Sequence, residues 1–275
     1  MFRRLIVATL VFALVALPGC SSTPAAQPPA ATQPPSVTLT VFAAASLTEA
    51  FTEIGRQFQA AHPDVKVTFN FAGSQQLAQQ LGQGAPGDVF ASANKKQMDV
   101  AVTAGRVASG SAQAFAKNRL LVIFPKDNPA NLATLQDLAK PGLKLVLAAK
   151  EVPVGQYALD FLDKAVLDAA FGSIFKDDVL KNVVSYEQDV KAVLTKVVLG
   201  EADAGIVYTT DVVGDSAGKV GRLDIPDALN TIASYPIARV SDSANADQAQ
   251  AFVDTVLSPA GQAVLAQYGF LPAEP

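Results

Sequence analysis

Val37-Thr-Leu-Thr-Val-Phe-Ala-Ala-Ala-Ser-Leu-Thr-Glu49 changes its period partway along, and that change decides the fold class. Up to Phe42, apolar and polar residues alternate, the period-two pattern of a strand. Ser46-Leu-Thr-Glu49 then has capping-box spacing, which predicts that Ser46 caps a helix with Glu49 as its reciprocal partner. Leu47, Phe51, Ile54 and Phe58 follow at helical spacing, and His62-Pro63 ends the run. A strand passing through small residues into an amphipathic helix is the repeating unit of an α/β fold.

The same alternation continues outward from this unit. Val65 to Phe71 reads as the next strand, and Gly73-Ser74 leads into a helix over 75–81. A short strand at 88–90 and a helix at about 95–104 follow. Further strands are predicted at 119–124, 144–148, 182–184, 204–208 and 235–240, with helices at about 155–169, 189–199, 247–257 and 259–268. Such a series implies mostly parallel sheet covered on both faces. The span is long for one open sheet, so two α/β lobes are expected, with the strands at 119–124 and 235–240 crossing between them.

Composition narrows the chemistry. The 275 residues carry a net charge of -4, which argues against nucleic acid, a partner that would want a basic face. One cysteine, Cys20, allows no internal disulfide. One histidine, His62, sits in a turn-like Ala-His-Pro-Asp setting. A zinc site would therefore lack thiolate and imidazole ligands, and a Ser-His-Asp triad would have to use His62.

The N-terminus is a processing segment. Arg3 and Arg4 precede an apolar run, Leu5 to Leu17, that is short for a bilayer span. Leu17-Pro-Gly-Cys20 resembles the lipobox of bacterial lipoproteins, in which the cysteine is lipidated and becomes the mature N-terminus; Pro18 stands where a small residue is usual. Residues 1–20 thus read as a lipoprotein signal peptide and Cys20 as the site of a membrane anchor. Residues 21–36, SSTPAAQPPAATQPPS, are uncharged and proline-rich, a semi-rigid polyproline II spacer rather than a core.

In open α/β sheets ligands bind where strands end and helices begin. At the first such junction, Ala43-Ala-Ala-Ser46, small residues allow close approach and Ser46 offers a hydroxyl. At the second, Phe71-Ala-Gly-Ser74, Gly73 permits an unusual backbone angle and Ser74 offers another hydroxyl. Glu151-Val-Pro-Val-Gly155 would supply a backbone N–H near Val154, and Gln188-Asp-Val190 another near Val190. Gly205-Ile-Val-Tyr208 ends a buried-looking strand in a phenol. Each feature also has a purely structural reading: serine is a favoured helix cap, and Val154, Val190 and Tyr208 could simply pack. None of these junctions places Arg or Lys at its apex. A pocket made of them would be neutral and rich in donors beside helix N-termini, which favours an anion. It would suit a fully deprotonated oxyanion such as sulfate, molybdate or tungstate. Protonated phosphate would leave an O–H unpaired, at about 1–3 kcal/mol.

From about Val37 to Phe270 the chain resembles the periplasmic molybdate-binding proteins (ModA) of ABC importers. The resemblance rests on Phe42-Ala-Ala-Ala-Ser-Leu47, Phe71-Ala-Gly-Ser74, Gly87-Asp-Val-Phe90, Val152-Pro-Val-Gly155, Asp189-Val190, Gly205-Ile-Val-Tyr208, Tyr235-Pro-Ile-Ala238 and Tyr268-Gly-Phe270, in that order. It implies the type II periplasmic-binding fold, two α/β lobes joined by a hinge around an interlobe cleft. Lobe 1 would comprise 37–118 plus about 236–275, and lobe 2 about 119–235. It also implies that Ser46, Ser74, Val154, Val190 and Tyr208 hold molybdate or tungstate, with no cofactor and metal bound only as the oxyanion. Val154 stands where relatives often carry alanine; contact through the backbone should tolerate it. Glu187 and Asp189 do not match the carboxylate pattern of relatives with expanded metal coordination, so a tetrahedral ion is expected. The implied role is an exported, lipid-anchored monomer serving a membrane permease. The rivals are a binding protein for sulfate or another small oxyanion, a serine hydrolase lacking an evident base, and a regulator's effector domain, against which the export signal speaks.

Overall fold

β1 (Val37–Ala44) begins as an alternating strand and is buried on both faces from Val41 onward, the signature of a central strand covered above and below. The computed structural model describes residues 37–273; the export segment, Cys20 and the proline-rich linker lie outside them. After a 3-10 turn at Ala45–Leu47 comes α1 (Thr48–Ala61), followed by β2 (Val65–Ala72), α2 (Ser74–Gly82), β3 (Val89–Ala91) and α3 (Lys95–Thr103). β1 runs parallel to both β2 and β3. Phe42 and Phe90 pack with Leu77, Leu81 and Met98 of α2 and α3. Leu39 and Val41 join the larger core with Phe51 and Phe58 of α1. Burying each of these phenylalanines stabilises the fold by roughly 1.5–3 kcal/mol.

The chain then passes into a second sheet. β4 (Gln113–Asn118) belongs to the first sheet, and β5 (Leu120–Pro125), one residue later, belongs to the second. β6 (Leu145–Ala148), α4 (Pro153–Ala165), α5 (Phe175–Lys181), β7 (Val183–Glu187), α6 (Val190–Val198), β8 (Ala204–Tyr208) and β9 (Val220–Asp224) follow. The chain returns to the first sheet with β10 (Ala233–Arg239) and closes with α7 (Ala246–Leu257) and α8 (Pro259–Gln267). Strand order is β2-β1-β3-β10-β4 in one sheet and β7-β6-β8-β5-β9 in the other. The two-sheet α/β architecture expected from the alternation is present.

Three expectations need correction. The sheets are mixed rather than mostly parallel, because β10 runs antiparallel to β3 and β4, and β5 antiparallel to β8 and β9. The strands on which the chain enters each sheet after a crossing, β5 and β10, are the ones that run against their neighbours. The strands predicted at 119–124 and 235–240 do not themselves cross; β5 pairs only within the second sheet and β10 only within the first, and the crossings lie in the chain just ahead of each. β4, β9 and α5 went unpredicted. Two short stretches bind the crossings together: Asn230 accepts from the Leu120 N–H at 3.1 Å and donates to the Leu120 and Ile225 carbonyls at 2.9 and 3.2 Å.

Candidate functional site

The five residues singled out by the junctions meet in one place. Ser46 lies in the 3-10 turn after β1, and Ser74 is the first residue of α2. Val154 lies in the first turn of α4, Val190 opens α6, and Tyr208 is the last residue of β8. All are buried, and all line a single small cavity. Ala44, Ala45, Ala72 and Ala93 also line it, with Gly73, Val152, Pro153 and Asp189. Small side chains let backbone approach the centre, and the N-termini of α2, α4 and α6 reach its wall. The first N–H groups of a helix have no intrahelical acceptor, and each such terminus carries roughly half a positive charge.

The hydroxyls are held by tertiary contacts rather than by helix capping. Ser46 does not cap α1: the cap position is Leu47, with no side-chain bond, and the Ser46 hydroxyl bonds Tyr235 Oη at 2.9 Å. Its expected partner Glu49 instead reaches Lys191, so the capping box does not form. Ser74 Oγ accepts from the Ala93 N–H at 2.9 Å. A backbone N–H can only donate, so the Ser74 proton is left for the cavity. The Tyr208 hydroxyl is buried and has no hydrogen-bond partner among the described residues. An unpaired buried hydroxyl costs about 1–3 kcal/mol, which a ligand acceptor would recover. Burial pushes the Tyr208 and Tyr235 phenols well above their ordinary pKa, so both keep their protons.

Most of the charge near the cavity is drawn away from it by pairing. Asp189 lines the cavity, but its Oδ1 is committed to the Ala192 N–H as the α6 cap. Lys191 follows Val190 directly, yet its ammonium turns to both Glu49 oxygens at 2.8 Å and to Asp211 Oδ1 at 3.2 Å. Asp211 is buried behind Tyr208, whose N–H it accepts at 3.1 Å. Burial raises the Asp211 pKa, and the Lys191 ammonium opposes that shift. Glu187 is engaged by Lys196 at 2.7 Å and by Ser185 at 2.7 Å. Among the described residues, no His/Cys/Asp/Glu group could hold a bare metal ion.

The halves built on the two sheets are drawn together over the cavity. Gln75 donates to the Gln188 carbonyl at 2.9 Å, Gln76 to Gln188 Oε1 at 2.7 Å, and Gln97 to the Glu151 carbonyl at 3.2 Å. Gly73 is needed here for a reason other than the expected one. Its φ of -59° suits any residue, but a Cβ on it would lie 2.5 Å from the Gln188 carbonyl oxygen across the cleft. Gly155 likewise packs α4 onto the Ala148 and Ala149 carbonyls, too close for a Cβ. Asn118 and Ala93, which bear on the serine hydroxyls, were not foreseen. No local pattern marks a residue whose role comes from partners far along the chain.

A two-sheet α/β protein whose halves meet over a small, donor-lined cavity is a solute-binding protein by architecture. Residues 39–271 match the family described as bacterial extracellular solute-binding protein. The chain is 40% identical over 266 residues to the molybdate-binding protein ModA of Mycobacterium tuberculosis, covering 97% of this chain and 95% of that one. It is 34% identical over 238 residues to ModA of Escherichia coli, covering 84% and 88%. The solved periplasmic molybdate-binding protein of Azotobacter vinelandii superposes with a TM-score of 0.73 at 19% identity, covering 85% of this chain and 98% of that one, a likeness of fold. The chain belongs to the extracellular solute-binding protein family and, within it, to the ModA group.

Proposed function

We propose that this protein captures molybdate, and tungstate with it, and delivers it to the membrane permease of an ABC importer. The observation that carries the reading is the donor-rich character of the cavity. Ser74 has its oxygen occupied and its proton free, Tyr208 has a protonated and unpartnered hydroxyl, and helix N-termini supply amides. Such a lining accepts an ion that only accepts hydrogen bonds. The relatives in Mycobacterium tuberculosis and Escherichia coli are named for molybdate. In this reading Ser46, Ser74 and Tyr208 bind through hydroxyls, and Val154 and Val190 through backbone N–H groups. Residues 37–118 with about 236–275 form lobe 1, about 119–235 form lobe 2, and hinge closure joins the two sets of ligands. The monomer is exported, is cleaved in front of Cys20, and is held at the membrane by lipid on that cysteine with 21–36 as spacer.

Ser46 and Ser74 act as ligands rather than nucleophiles. His62 lies at the far end of α1, a 14-residue helix roughly 21 Å long, and stacks on Phe58 with 4.1 Å between ring centroids. It is out of reach of either hydroxyl as a general base. Isothermal titration with molybdate, tungstate, sulfate and phosphate tests the proposal. One-to-one binding of the first two, with sulfate far weaker, is expected. Binding of sulfate alone would keep the transport role and replace the ligand, and silence with every oxyanion would overturn the site.

A further inference from the structure

The Ser46 hydroxyl ends a chain of buried hydrogen bonds that starts at the crossing between the sheets. Asn118, the last residue of β4, is fully buried. Its Oδ1 accepts from the Arg119 N–H at 2.9 Å and from Thr209 Oγ1 at 3.0 Å. The Arg119 N–H can only donate, so the amide cannot be turned round, and its NH₂ must face the other way. That NH₂ meets Thr210 Oγ1 at 2.8 Å and Tyr235 Oη at 3.3 Å. Tyr235 Oη therefore receives a hydrogen bond from Asn118, and its single proton has Ser46 Oγ, 2.9 Å away, as the nearest acceptor in a geometric hydrogen bond among the described residues. With the proton placed there, Ser46 accepts it and keeps its own for the cavity.

We propose that Asn118 is a positioning residue that, through Tyr235, fixes Ser46 as a donor to the bound oxyanion. The proposal rests on the cavity being the oxyanion site. It makes the two serines equivalent by different means: the Ala93 N–H orients Ser74 directly, while Ser46 is oriented at second hand through a phenol. Burial holds Tyr235 in its protonated form, so the relay does not dissipate by ionisation. Because Asn118 ends β4, Arg119 follows it, and Thr209 follows Tyr208, the amide that sets this direction sits where the chain passes between the halves. Thr209 N–H bonds the Arg119 carbonyl at 2.9 Å and holds the two passages in register.

Asn118→Asp reverses the relay with little change of shape. The carboxylate keeps the Arg119 bond and faces Thr210 and Tyr235 with an acceptor, to which both hydroxyls can turn their protons. Tyr235 then takes its hydrogen bond from Ser46, which presents lone pairs to the anion. Molybdate affinity should fall roughly 100-fold. Part of that loss comes from added negative charge, and Tyr235→Phe separates the two causes. Without the phenol the relay is cut, so Asn118→Asp in the Tyr235→Phe background should cost about tenfold less than in the wild type, a coupling that a double-mutant cycle reads directly. Strictly additive losses would overturn the relay while leaving the oxyanion site intact. A wild type that binds no oxyanion would overturn both. Should Asn118→Asp fail to fold, Tyr235→Phe alone decides. Ser46 is then free to accept as well as donate, and the ratio of molybdate to phosphate affinity should drop about tenfold. An unchanged ratio would sink the proposal, since a merely structural loss would weaken both anions alike.

Discussion

The two halves of the cavity are built from different material. The half on the first sheet contributes serine hydroxyls, each oriented by a specific tertiary bond. The half on the second sheet contributes the N-termini of α4 and α6, whose side chains at the key positions are valines, together with one phenol. The first half is specified by residue type and the second mainly by backbone position. Substitutions should therefore divide. Changing a side chain on the first half should remove a ligand; on the second half, binding should respond to whatever moves the backbone and ignore much of what trims the side chain.

Ser74→Ala should show the largest effect. It removes a hydrogen bond to a charged ligand and strands the Ala93 N–H that the hydroxyl now receives. Hydrogen bonds to charged groups contribute about 1.5–3 kcal/mol, so the molybdate Kd should rise about 10- to 100-fold in calorimetry. A loss below threefold would deny that side chains carry the first half.

Gly73→Ala should come next, at about tenfold. The new methyl meets the Gln188 carbonyl across the cleft while φ remains ordinary. The protein should fold as before and fail to close fully, so the change should fall mainly on the dissociation rate measured by stopped flow. If dissociation is unaltered while thermal stability drops, the contact is a feature of packing rather than closure.

Glu49→Gln should cost less, about two- to fivefold at low salt. Glu49 on α1 and Lys191 on α6 bridge the two halves beside the cavity, but both are partly exposed, which limits such pairs to roughly 0–1 kcal/mol. Asp211 remains to hold Lys191. The wild-type advantage should shrink as ionic strength rises; a difference that survives 1 M salt would mean that Glu49 acts otherwise.

The same contrast explains what the sequence made legible. The strand-helix alternation and the junctions carried the fold and brought the five candidate residues to one cavity, because periodicity and helix N-termini are local properties. What failed was local logic applied to tertiary facts. Ser46 and Glu49 have ideal capping-box spacing, yet Ser46 is claimed by Tyr235, 189 positions away, and Glu49 by Lys191, 142 positions away. Gly73 was read for its backbone freedom, and the reason for it is a carbonyl on the opposite half. The unpredicted elements are short and only partly apolar: β9 has five residues, and α5 has seven with Asp177 and Asp178 in its first turn. Their stability comes from neighbours they meet only after folding, not from their own pattern.

Val154→Ala should have the smallest effect on binding, and it tests the contrast most sharply. Val154 lines the cavity but is also buried against the core, and its contribution to the ligand is a main-chain N–H in the first turn of α4. Alanine keeps that N–H and the helical start set by Pro153, so the molybdate Kd should stay within about threefold, equivalent to less than roughly 0.7 kcal/mol. Stability should not be spared. Removing two buried methyl groups costs on the order of 1–2 kcal/mol, a drop in Tm of about 2–8 °C for a domain of this size. Ser74→Ala should lower affinity far more for a similar or smaller change in Tm. If Val154→Ala instead weakened binding as much as Ser74→Ala, the side chain would be shaping the cavity around the ion, and the second half would be specified by residue type after all.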